Sequence, residues 1–178
     1  MRGPLMDAFH LRAAIPEDAR ALSELASRTF QETFGSNYAP EDLEAFLASA
    51  YALPKIAREL ADPSYSCFVA ERGGSLAGYA LLHDGTAESC VHGPAPIELE
   101  RIYVLRAALG AGLGQALLDR CAARAREMGK RTLWLGVWER NDRAQAFYRR
   151  NGFVEVGDHR FQVGSMEDRD LVFEKRLD

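Results

Sequence analysis

Apolar positions recur with a helical period through the first third of the chain, change to a strand period near Ser66, and then follow helix and strand periods in turn. Phe9 to Ala13 predicts a short first strand. Pro16, Glu17 and Asp18 open a helix, because proline suits the first helical position and acids suit the positive end of the dipole. Leu22, Leu25, Ala26, Thr29 and Phe30 follow at helical spacing and make one buried stripe. Asn37 to Pro40 breaks that helix, and two shorter helices follow near Glu41 to Ser49 and Lys55 to Ala61. Cys67 to Glu71 and Ser75 to His83 read as strands around Gly73-Gly74, a pair that supplies the positive φ angles of a tight hairpin. Asp84 to Pro96 has no period and reads as a loop; long loops in compact domains are often functional.

The second half has the order strand, turn, helix, strand. Ile97 to Leu105 is the strand and Gly110 to Gly114 the turn. The helix runs to about Met128 with Leu113, Leu117, Cys121, Ala125 and Met128 on one face. Gly129 stops it before the strand Thr132 to Trp138. This is a βαβ unit, which implies a parallel pair joined by a right-handed crossover. Asn141 caps a helix through Arg150, with Gly152 as its stop. Phe153 to Val163 and Asp170 to Arg176 form a closing hairpin around Gly164 to Arg169. The order predicts a mixed sheet with helices on both faces, in the α/β or α+β class.

Composition narrows the picture. A chain of 178 residues fits one domain and can bury a full core, with Met6 as an alternative start that leaves the first residues outside the fold. The net charge of −4 argues against a nucleic-acid partner and fits a cationic small substrate. Cys67, Cys90 and Cys121 are scattered, which suits thiols in a reducing cytoplasm better than a disulfide framework or a zinc site. No signal peptide and no apolar run long enough for a membrane is visible. His10, His83, His92 and His159 show no metal-like spacing and read as surface or loop residues, and Arg120 to Arg131 reads as a solvated helix face.

Gly110-Ala111-Gly112-Leu113-Gly114 is the strongest chemical signal. Glycines let a backbone approach a ligand closely, and the free N–H groups at a helix start suit phosphate oxygens. A diphosphate-bearing cofactor follows. The dinucleotide pattern G-x-G-x-x-G fails, since its last position falls on Gln115 or Leu117, and no Gly-Lys-Ser/Thr loop is present. A glycine turn that only permits tight packing is the plainer alternative.

The stretch Leu99 to Phe153 resembles the GNAT acetyltransferases. Their central motif corresponds here to Ile102-Tyr103-Val104, then Leu109-Gly110-Ala111-Gly112-Leu113-Gly114, then Leu117-Leu118. Leu109 departs from it, standing where the family usually has Gln or Arg. A second family segment matches Asn141, Ala144, Phe147, Tyr148, Gly152 and Phe153. Glu98 to Tyr103, Trp134 to Glu139, Thr29 to Phe34 and the tail from Phe161 to Asp170 look like the bacterial PaiA-like spermidine/spermine acetyltransferases. The resemblance implies the GNAT fold with a mostly antiparallel sheet, acetyl-CoA as cofactor, a small-molecule amine as acceptor, and a monomer or homodimer. It implies cofactor contacts from Ile102, Tyr103, Val104, Leu109 to Gln115, Asn141, Ala144, Phe147 and Tyr148.

Acetyl transfer to an amine poses two proton problems. An ammonium with a reference pKa of about 10.4 must lose a proton to become nucleophilic. The sulfur must then leave as a thiol. The motif alignment makes Tyr148 the acid, although its spacing with Ala144 and Phe147 is also that of a core aromatic. Glu98 and Glu100 are the base candidates, because strand alternation puts them on one face with Ile102 and Val104. Glu98 matches the glutamate of the histone-acetylating branch, and Glu100 lies nearer the expected thioester. Pairing of one or both with Arg101 or another cation at a wet strand end is the plainer reading. Glu32, Phe34 and Tyr38 are acceptor-pocket candidates by subgroup likeness. Transfer to peptides or amino acids, and a non-catalytic acyl-CoA-binding protein, are the alternatives.

Overall fold

The computed structural model describes residues 8–178, with every side chain except that of Phe161; Met6 and the residues before it lie outside the described part. Strand β1 (His10–Ala13) leads through a 3-10 turn at Pro16–Asp18 into α1 (Ala19–Phe34). Helices α2 (Pro40–Ala50) and α3 (Leu53–Ala61) follow, then strands β2 (Tyr65–Arg72), β3 (Ser75–His83) and β4 (Pro96–Val104). Helix α4 (Leu113–Glu127), β5 (Thr132–Trp138), α5 (Asp142–Arg150), β6 (Val154–Val163) and β7 (Met166–Arg176) complete the chain.

Local chemistry explains most of these limits. Leu22, Leu25, Ala26, Thr29 and Phe30 are all buried along α1, as their spacing requires. Gly73 and Gly74 take φ +58° and +76° in the β2–β3 turn, the pair of positive angles that matches strand twist. Asn141 caps α5 by accepting a hydrogen bond from the Ala144 amide at 3.2 Å. The closing hairpin differs from the expected one: β7 starts at Met166, because Gly164 at φ +57° turns the chain without a longer loop.

The seven strands form one sheet in the order β1-β2-β3-β4-β5-β7-β6. Only β4 and β5 run parallel, and β7 lies between β5 and β6. One face packs on α4 and α5 through Leu99, Leu117, Cys121, Leu135, Tyr148 and Phe173. The other packs on α1, α2 and α3 through Phe30, Ile56, Val69 and Tyr79. This is the mixed, mostly antiparallel sheet with helices on both faces that the order of elements predicts.

One irregularity matters for the site. The β3–β4 register pairs Leu81 with Arg101 but Leu82 with Leu99, so Glu100 is the extra residue of a β-bulge. Strand alternation therefore breaks at Glu100. Ile97 and Leu99 share the α4 face with Ile102 and Val104, whereas the expectation put Glu98 and Glu100 there. A strand pattern read in steps of two has no way to register an inserted residue.

Candidate active site

Strands β4 and β5 pair only over Pro96–Glu98 and Thr132–Trp134, then part. The gap opens into a cavity of about 830 Å³ bounded by the glycine turn, α5 and the ends of α1 and α2. Parted strands leave backbone N–H and C=O groups free to pair with an extended ligand as an added strand would.

Nearly all the expected cofactor residues meet here. Ile102, Tyr103 and Val104 line one wall, and Asn141, Ala144, Phe147 and Tyr148 line another. Leu109, Gly110, Gly112, Leu113, Gly114 and Gln115 line the end of the cavity. Ala111 is exposed and lies off the lining. Gly110 and Gly112 adopt φ +83° and +75°, and a Cβ at Gly110, Gly112 or Gly114 would meet no atom within 4 Å. The turn therefore presents open backbone at the start of α4, where free amides and the helix dipole favour an anion. Leu109 is 44% exposed beside it. Arg143 and Arg150 also line this region. Sequence reasoning passed over both, although their i, i+7 spacing on α5 puts them on one side of the helix. The arginines of α4 point elsewhere: Arg120 covers the Phe68 ring and Arg126 donates to the Leu177 carbonyl.

Tyr148 is buried on the cavity wall between Phe147 and Phe153. Burial lifts its hydroxyl well above the usual tyrosine range, with Tyr103 a smaller cause, so it stays protonated. The two glutamates separate. Glu100 lines the cavity and Glu98 does not. The Glu100 oxygens lie 3.0 Å from Arg101 Nη2 and 3.3 Å from His83 Nδ1. Arg101 also donates two hydrogen bonds, of 2.7 and 2.9 Å, to Glu59 on α3. Glu98 sits behind Glu100, and burial, then the charge of Glu100, pushes its carboxyl up to about 7.

His83 closes this group, contrary to its reading as a surface or loop residue. It ends β3, stacks on Tyr65 with ring centroids 4.2 Å apart, and lies with Glu98 and Glu100 so that one polar atom of each falls within 4.8 Å of the others. His159 likewise sits half-buried within β6.

At the acceptor end the outcome is mixed. Phe34 and Tyr38 line the cavity, and Tyr38 donates to Asp168 at 2.7 Å. Glu32 lies off the lining, held by the Arg106 amide at 2.8 Å and by Arg28 Nε at 3.1 Å. It anchors the turn after β4 to α1 instead of facing a substrate. Sequence reasoning missed Asp170, Trp138, Phe46 and Tyr51, which complete this wall. No local motif marks them, because α2 with its C-cap, β5 and β7 bring them together from distant parts of the chain.

Comparison with known proteins agrees with this geometry. The profile of the Acetyltransferase (GNAT) family matches residues 20–153. An uncharacterized N-acetyltransferase of Lactobacillus delbrueckii subsp. lactis is 33% identical over 153 residues, 86% of this chain and 88% of that protein. One from Mycobacterium tuberculosis is 32% identical over 160 residues, 90% of this chain and 98% of its own length. The crystal structure of the PaiA N-acetyltransferase of Thermoplasma acidophilum in complex with coenzyme A has the same fold, with a TM-score of 0.78 at 21% identity over 95% of this chain and 99% of that one. With its parted strands, glycine turn and matching profile, the chain belongs to the GNAT family and is an acetyl-CoA-dependent N-acetyltransferase.

Proposed function

We propose that this single domain transfers an acetyl group to a primary amine of the polyamine class, with Tyr148 as acid and Glu100, backed by Glu98, as base. The observation that carries the reading is the cavity itself, whose lining brings together the glycine turn, Tyr148 and Glu100. The residues fit the cofactor, because the turn offers open backbone for a diphosphate and the parted strands offer free backbone for an extended arm.

When bound, acetyl-CoA supplies an acyl carbon activated as a thioester. The amides of Gly112 and Gly114 would hold phosphate oxygens, with Arg143 and Arg150 adding charge. The backbone of Ile102 and Val104 would hold the arm, and Asn141 fixes the start of α5. Glu100 receives a proton from the attacking nitrogen and can pass it to Glu98 behind it. Tyr148 would give its proton to the departing sulfur and regain, through water, the one that Glu100 took from the nitrogen. The acidic, aromatic acceptor end, with Glu100, Asp170 and Trp138, favours a cation with an alkyl body.

The test is release of CoA thiol from acetyl-CoA, screened across polyamines, amino acids and short peptides. Amine-dependent release is expected, strongest with polyamines. In Tyr148→Phe, turnover should fall about 100-fold or more with donor affinity unchanged. Release only with peptides or amino acids would reassign the acceptor. Donor binding without release for any amine would identify a non-catalytic acyl-CoA-binding protein.

A further inference from the structure

Net acetyl transfer from a thioester to an ammonium yields an amide, a thiol and one free proton, which has to leave the acceptor end of the cavity. Across the β6–β7–β5 register, His159 stands opposite Asp170 and Asp170 opposite Trp138. The Asp170 side chain lines the cavity and is only 13% exposed. His159 Nε2 lies 3.6 Å from Asp170 Oδ2, and His159 Nδ1 lies 3.1 Å from Glu88 Oε1. Nδ1 is fully buried and not in line for a hydrogen bond to Glu88. Glu88 sits on the Asp84–Ala95 loop, 41% exposed, and so reaches solvent.

Gly136 shows that this arrangement is built. A glycine inside a strand weakens it, and it commonly marks a close approach by another group. A Cβ at Gly136 would stand 3.0 Å from His159 Cε1 and 3.3 Å from Asp170 Oδ2. The missing side chain makes room for the imidazole–carboxylate pair.

From these contacts we infer that Asp170, His159 and Glu88 form a proton exit from the acceptor end of the cavity to solvent. This rests on the acetyl-transfer reading above. Asp170 takes a proton from the bound ammonium, leaving a neutral amine. His159 Nε2 takes that proton from Asp170; a small turn of the ring brings Nδ1 into line with Glu88, the proton on Nδ1 passes across, and Glu88 loses it to water. Glu100 then serves the second deprotonation, during attack. The charged groups facing His159 are Asp170 from β7, Glu88 from the loop and Glu98 from β4. Asp158, its neighbour on β6, turns away to Arg169 at 2.6 Å. Asp170 and Glu88 are contact and outlet; His159 acts between them.

Two measurements test the relay. In His159→Gln, kcat/KM for the amine at pH 7 should fall about 100-fold and recover as pH approaches the pKa of the amine, with donor affinity unchanged. A fall with an unaltered pH profile, or no fall, overturns the relay. NMR titration of the His159 ring, with no donor or amine present, should show its midpoint lower in Asp170→Asn than in the parent, because Asp170 is what favours the imidazolium. A midpoint unmoved by Asp170→Asn overturns the relay even if the parent releases no thiol, an outcome that would separately defeat the acetyl-transfer reading.

Discussion

Glu98 is a carboxylate in an unfavourable place, and that gives it a measurable signature. Burial and the neighbouring charge of Glu100 raise its folded pKa from 4.5 to about 7. The folded state therefore holds a proton that the unfolded chain releases first. Stability from this group is complete below about pH 4.5 and is lost as pH rises through 7. A shift of this size corresponds to roughly 3 kcal/mol. Glu98→Gln should be more stable than the parent at pH 8 by up to about that amount and little different at pH 4, as urea unfolding at the two pH values would show. An equal effect at both would mean that the carboxyl does not titrate as its surroundings require. The same residue illustrates what residue types alone convey: two acids on a central strand pointed to the site, but their division into an inner and a cavity-facing member depends on the bulge at Glu100.

Between elements, the decisive contact is the Arg101–Glu59 pair, which ties β4 to α3 with both partners at or below about a tenth exposed. A buried charge left without its partner is costly, so Glu59→Ala should destabilise the fold by about 3–5 kcal/mol. Glu59→Gln, which keeps one acceptor oxygen, should cost less. Denaturant midpoints for the two variants would check this, and equal, negligible losses would show that Glu100 alone satisfies Arg101. At the other end of β4, Gly112 holds φ +75° at the start of α4. Gly112→Val should cost about 1–2 kcal/mol from the left-handed backbone alone. It should also weaken acetyl-CoA binding, which calorimetry would report separately from the loss of stability.

For the whole molecule, the cavity is the quantity that matters, since α1, α2, β4, the glycine turn, β5, α5 and β7 all contribute walls. Arg143 and Arg150 are the exposed cations of α5 that line it. Replacing both by Gln should raise the Kd for acetyl-CoA about tenfold or more, on the scale of hydrogen bonds to charged groups. The parent's affinity should fall with added salt more steeply than the variant's. Equal salt dependence would place these arginines outside the phosphate contacts. Among the described residues no helix is long and apolar enough to cross a membrane.

The sequence by itself determined the elements and their order, because helix and strand periods, the Gly73-Gly74 turn and the Asn141 cap act over a few residues. It also pointed to the open glycine turn and to Tyr148 on the cavity wall, since both lie within one βαβα run whose pieces are neighbours in the chain. Tertiary structure alone decided which carboxylate meets the cavity, that Glu32 serves as an anchor, and that Asp170 lines the cavity with His159 opposite it. These depend on strand register, on one inserted residue in β4, and on pairing between segments far apart in sequence. No period along the chain encodes which side chain such pairing brings opposite another.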